Sequence, residues 1–439
     1  MSGLASRDLR HLWHPCSQMR DYEDFPPLEI AGAQGSHLLL ADGRSLIDAI
    51  SSWWCKSLGH GHPRLREALV RQAGRFEHVI LANTTNDVVV RLSERLAGLA
   101  PGLSRVFYGG DGSMAVEIAA KLALHARRIT GAGGSGFMAL ENGYHGETAL
   151  TLGLGDLGIY REAYRDVLPP VGFLRGLPYV DSDAHPLWND CSAVWPGLER
   201  QLEANAAGLC AVVVEPILQG AGGMRFYSAD FLRRLRAWTR ERGVYLIADE
   251  ILTGFGRTGA MLACDHAGIT PDLVCLSKGL TAGWLPMSAV LVSESIYDLF
   301  YAEYGTGRDF LHSNTYAGNP LAAAVALEAL DIYRDEDICG RVRRAQPGLR
   351  TAMERVAAST GRLANVRCLG AVAAAELTGP GTGPGMRAGY RVYREAVARG
   401  ALLRTLGDTV YWLLPLNAEE GVLAELEAIT AASIRAVLG

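Results

Sequence analysis

Two nearby stretches decide the fold: VYLIADEILTGFGRTG, residues 244–259, and PDLVCLSKGLTAG, residues 271–283. Each begins with a short, nearly all-apolar run. The first run ends in Asp249-Glu250 and the second in Lys278, and glycine-rich backbone follows both. Runs of this kind suit parallel strands covered on both faces, because neither face alternates toward water. In open α/β sheets ligands sit at the carboxyl ends of the strands. If the two strands are neighbours, Asp249 and Lys278 enter one crevice.

Working outward, SRVFYG (104–109), FMALEN (137–142), AVVVEP (211–216) and SAVLVS (288–293) repeat the pattern. All read as further strands, the nearly all-apolar ones as parallel. Helical spacing marks the segments between and before them, such as 62–76, 87–99, 113–130 and 229–243. The expected fold is α/β: a large domain over residues 60–330, with a mostly parallel sheet flanked by helices. After it the texture changes to a smaller α+β domain, 331–439. Residues 1–59 read as an N-terminal arm that forms part of that small domain. Within the arm, HLLLADGRSLIDAI places two apolar runs around Asp42-Gly43, a hairpin signal.

Composition narrows the partners. The chain has 439 residues and a net charge of −5, without a basic stripe, so nucleic acid and anionic membrane are poor partners. No run approaches about 18 apolar residues, and the start of the chain lacks the apolar core of a signal peptide. The eight cysteines form no CxxC pair, which suits a reducing, cytoplasmic setting and argues against a zinc site.

Asp249 and Lys278 admit two readings: a buried salt bridge, or a cofactor pair. Pyridoxal phosphate (PLP) needs such a pair, a lysine amine to hold its aldehyde as an imine and a carboxylate to keep the pyridine nitrogen protonated. The glycines that follow both residues favour the cofactor. A phosphate needs a cradle, and FYGGDGSMAVEIAAKLA (107–123) supplies a strand, a Gly-rich turn and a helix start, with Ser113 able to add its hydroxyl. GAGGSG, 131–136, matches a dinucleotide-binding pattern but has a helix before it and a strand after it, the reverse of what that site requires. It reads as a surface loop. Trp53, Trp54 and Tyr144 lie beside turn residues and read either as core packing or as a cofactor's neighbours. Arg404 reads as surface or as a bidentate clamp on a substrate carboxylate.

On ADEILTGFGRTG, CLSKGLTAGWLPMSAV, EPILQGAGGMRFY, NGYHGET and HSNTYAGNPLA, the chain resembles the class III aminotransferases of PLP fold type I over nearly its whole length. HLWHPCSQM, SSWW, QGAGGMR and RTLGDTVYWLLP are similar to the biotin-pathway branch of that class. Leu252 also stands where many other members carry Gln, which this branch lacks. The branch transfers an amino group, usually from S-adenosylmethionine, to 7-keto-8-aminopelargonate. The resemblance implies Lys278 as the imine-forming lysine and proton shuttle, Asp249 at the pyridinium nitrogen, and Tyr144 stacked on the ring. It implies Gly112 and Ser113 at the phosphate, joined by Thr315 from a partner subunit, and hence a homodimer. Trp53, Trp54, Glu147, Ser313 and Tyr411 would shape the substrate pocket, and Arg404 would hold the keto-acid carboxylate.

The sequence departs from many members at Cys16, Glu147, Ser313-Asn314, Thr405 and Leu416. These departures cluster on the substrate side. They leave open a related ω-aminotransferase that uses lysine, a diamine or a specialised-metabolite amine.

Overall fold

The structure is a computed structural model that describes residues 3–439. Its centre is a seven-stranded sheet: β1 (Arg105–Gly109), β2 (Gly136–Leu140), β3 (Val171–Leu174), β4 (Leu209–Val214), β5 (Tyr245–Asp249), β6 (Leu273–Leu276) and β7 (Ser288–Val292), in the order β1-β7-β6-β5-β4-β2-β3. Every residue of β4, β6 and β7 is buried, because the sheet is covered on both faces. Alternate residues go to opposite sides. Ala211, Val213 and Ile247 pack with the helix Gly112–Thr130, whereas Val212, Val214 and Leu246 pack with Phe231, Leu235 and Trp238 of the helix Ala229–Glu241.

One strand corrects the sequence reading. SAVLVS forms β7, which runs antiparallel to both β6 and β1. A parallel return needs a crossover of a dozen or more residues, usually helical. The link from Ser277 to Met287 holds only a short 3₁₀ turn, so the chain doubles back. Burial on both faces makes a reversed strand look parallel in its composition.

The hairpin at Asp42-Gly43 forms, with His37–Leu40 antiparallel to Ser45–Asp48 and Gly43 at φ +88°. Ser45–Asp48 also takes Ala401–Leu402 as a parallel partner, so the start and end of the chain share one sheet. A second small sheet joins Leu363–Leu369, Val372–Leu377 and Thr409–Trp412. Ile47 and Ala49 share a core with these strands and with the helices Ile338–Thr360, Ala388–Arg399 and Val422–Leu438. Trp412 is fully buried there and donates from Nε1 to Thr430 Oγ1 at 3.1 Å. Trp412→Ala should cost about 3–5 kcal/mol through the cavity it leaves. The expected result is a lower urea midpoint for this part of the chain.

Candidate active site

β5 and β6 are parallel neighbours, with Asp249 opposite Cys275, so the two charged strand ends meet. Asp249 and Lys278 open onto one cavity of about 460 Å³. Gly112, Ser113, Tyr144, Glu147, Trp53, Trp54 and Arg404 also line it.

Lys278 begins the 3₁₀ turn Lys278–Thr281 and has φ +36°. Its Nζ lies 4.7 Å from the Trp54 ring centroid. Burial lowers the pKa of this amine, and the charges of Asp249 and Glu215 oppose the shift without cancelling it. A larger share of the amine is therefore uncharged at a given pH, the form that attacks a carbonyl and accepts a proton.

Asp249 is buried. Its Oδ2 lies 2.8 Å from His145 Nδ1, and its Oδ1 accepts the Ile251 N–H at 3.2 Å. A carboxylate acceptor at Nδ1 puts the imidazole proton there. His145 is buried too, and its Nε2 has no hydrogen-bond partner among the described residues. Beside the pair, Glu215 at the end of β4 accepts the N–H groups of Tyr144 at 3.0 Å and Gly220 at 2.9 Å. Burial pushes Glu215 up to about 7, and the Asp249 charge adds to this.

At the other end of the cavity, the helix Gly112–Thr130 begins. Asp111 caps it by accepting the Met114 N–H at 3.0 Å. The N–H groups of Gly112 and Ser113 belong to the first turn and have no intrahelical acceptor. The NGYHGET loop approaches this helix start so closely that a Cβ on Gly146 would lie 2.2 Å from Ser113 Oγ, and Gly146 has φ +125°. Only glycine satisfies both conditions.

On the remaining wall, the Tyr144 hydroxyl donates to Glu147 Oε1 at 2.9 Å. Burial raises the Tyr144 pKa far above that of a free phenol. The Arg404 guanidinium stacks 4.4 Å over the Trp53 ring centroid and donates to the Cys16 carbonyl at 3.3 Å. Cys16 and Thr405, two of the positions that depart from the class pattern, line the cavity as well.

Three expected residues do not reach this cavity. Tyr411 is buried behind Trp54, whose Nε1 donates to the Tyr411 hydroxyl at 3.0 Å, so it supports the wall without forming it. Ser313 and Thr315 lie elsewhere, and the Thr315 carbonyl accepts from His78 Nε2 at 2.7 Å. Sequence reasoning missed His145 and Glu215. His145 sits beside Tyr144 in a quoted motif. Glu215 ends an apolar strand run, so the rule that selected Asp249 selects it too.

The model of the family "Aminotransferase class-III" matches residues 18–432, and the chain belongs to this family. Two relatives called adenosylmethionine-8-amino-7-oxononanoate aminotransferase are similar over most of their length. The one from Nitratidesulfovibrio vulgaris is 38% identical over 99% of this chain and 82% of its own. The one from Synechococcus elongatus is 39% identical over 92% and 94%. Among solved structures, the enzyme of that name from Methanocaldococcus jannaschii superposes with a TM-score of 0.91 at 28% identity, covering 99% of both chains. An amine transaminase from an uncultivated Pseudomonas species, solved with PLP bound, gives 0.89 at 28% identity over 97% of this chain and 99% of its own.

Proposed function

We propose that this chain converts 7-keto-8-aminopelargonate to 7,8-diaminononanoate in biotin synthesis, using PLP and taking the amino group from S-adenosylmethionine. One observation carries the reading: a lysine amine of lowered pKa, a buried carboxylate and a helix N-terminus face one cavity, in a class-III chain whose near-full-length relatives bear this substrate in their name.

The residues fit the cofactor. The first-turn N–H groups of Gly112 and Ser113, beside the Gly146 backbone, would hold the phosphate. Tyr144 would lie against the ring, and Asp249, braced by His145, would keep a proton on the ring nitrogen. When bound, PLP supplies an aldehyde that captures amines and a ring that accepts electrons. Lys278 Nζ would take the proton from the donor's amine-bearing carbon and pass it to the cofactor carbon that carries the aldehyde, and burial of that amine favours the form able to do so. Arg404, held over the Trp53 ring, would pair with the acceptor's carboxylate. Thr315 would serve the site of a second subunit, so the working unit is a homodimer. We also read residues 60–330 as the cofactor-binding domain, with 331–439 and the N-terminal arm as the small domain. The setting is cytoplasmic, in keeping with eight unpaired cysteines.

Cys16 and Thr405 on the cavity wall favour one second reading, an ω-aminotransferase of the same class with another amine as donor. Single half-reactions separate the two. The holoenzyme is mixed with S-adenosylmethionine, lysine or a diamine, and loss of its absorbance near ~410–420 nm is followed. S-adenosylmethionine should discharge the band, and 7-keto-8-aminopelargonate should restore it. An inert S-adenosylmethionine beside an active lysine or diamine would transfer the assignment to the second reading.

A further inference from the structure

Ser51, Ser52, Trp53 and Trp54 form a single left-handed helical turn, with φ of 47°, 44°, 70° and 73°. L-residues avoid this region, because Cβ crowds the following carbonyl, so four in a row persist only where the surroundings hold them. The ends of the turn are fixed. The Trp54 N–H donates to the Ile50 carbonyl at 2.8 Å and the Cys55 N–H to the Ser51 carbonyl at 3.0 Å. Ser51 Oγ donates to the Leu413 carbonyl at 2.6 Å, and the Trp54 indole is held by Tyr411.

In the middle of the turn the Ser52 carbonyl accepts from Cys55 Sγ at 3.1 Å, and the Ser52 N–H and hydroxyl both depend on one carboxylate. Asp48 Oδ1 accepts the Ser52 N–H at 2.9 Å, and Asp48 Oδ2 accepts the Ser52 hydroxyl at 2.6 Å and faces His60 Nε2 at 2.8 Å. Asp48 is fully buried. Burial alone would raise its pKa, but the bonds from His60 and Ser52 outweigh it and keep the carboxylate charged. Asp48 is also the last residue of the strand Ser45–Asp48, where it pairs with Leu402, two residues before Arg404. Asp48 thus joins the two elements, its carboxylate holding the turn that carries Trp53 and its backbone pairing with the strand that leads to Arg404, whose guanidinium lies over the Trp53 ring.

We propose that Asp48 is a positioning residue that clamps the left-handed turn so that Trp53 holds Arg404 in its carboxylate-binding pose, and so sets the affinity for the carboxylate-bearing acceptor. The proposal rests on the reading of Arg404 given above. In Asp48→Ala, KM for 7-keto-8-aminopelargonate should rise about tenfold or more while kcat stays within about threefold, the pattern of a lost binding contact. Asp48→Asn keeps one oxygen for the Ser52 N–H and should fall between Asp48→Ala and the parent enzyme. A second readout does not involve turnover. The Trp53 fluorescence, isolated by difference from the same protein carrying Trp53→Phe, should become more open to acrylamide quenching in Asp48→Ala. If Asp48→Ala does not fold, Ser52→Ala removes one of the bonds and should raise KM about threefold.

An unchanged acceptor KM with unchanged Trp53 quenching would overturn the proposal, as would a loss confined to kcat. A parent enzyme inert toward 7-keto-8-aminopelargonate would instead overturn the functional reading. In that case the Trp53 quenching alone decides the role of Asp48.

Discussion

Lys278→Ala should reduce turnover by at least about four orders of magnitude, because one side chain is asked to be both the amine that holds the cofactor and the base that moves the proton. The visible band near ~410–420 nm should vanish with it. An unchanged band in the variant would refute the assignment of Lys278. The same substitution should leave the fold intact, and the reason lies in the amine itself. Burial lowers the folded-state pKa of Lys278 below that of a free lysine. The unfolded chain therefore binds a proton that the folded chain binds less readily, and stability falls as pH drops through the unfolded value. At neutral pH the amine is a net cost to folding. Lys278→Ala should then unfold at the same temperature as the parent or higher, measured on both proteins without cofactor. Greater stability with no activity is the signature of a functional residue kept against the interest of the fold.

The same contrast explains what could be read from the sequence and what could not. β5 and β6 were legible because burial on both faces leaves unbroken apolar runs, and because charge at a strand end is conspicuous. The pairing that makes the site, Asp249 opposite Cys275, is a long-range fact that the runs only permit. The direction of β7 was not legible, since an antiparallel strand buried on both sides has the composition of a parallel one. The left-handed turn was hidden as well. Nothing in Ser-Ser-Trp-Trp signals positive φ, and the bonds that hold it come from Asp48, Leu413 and Tyr411, of which two lie more than 350 residues away in sequence. Tyr411 showed the opposite problem. Its motif was recognised, but only the packing places it behind Trp54.

Asp249→Asn carries the second large effect. The amide matches the carboxylate in shape but keeps only one oxygen: that oxygen can accept the Ile251 N–H while Nδ2 donates to His145 Nδ1 in the imidazole's other tautomer, and folding should change little. The charge that would hold a proton on the cofactor's ring nitrogen is gone, however. Loss of a preorganised charge of this kind costs about 10²–10³-fold in kcat. Asp249→Ala should lose as much activity and also stability. His145 Nε2 already has no partner among the described residues, so removing the acceptor at Nδ1 leaves a buried imidazole with neither nitrogen bonded. That costs about 1–3 kcal/mol. The neighbouring carboxyl reports the same change independently of turnover. Part of what raises Glu215 to about 7 is the charge of Asp249, so in Asp249→Asn the Glu215 carboxyl should ionise at lower pH. Infrared difference spectra across a pH series would follow its carboxyl band. An Asn variant within tenfold of the parent kcat, with Glu215 titrating as before, would place the essential charge somewhere other than Asp249.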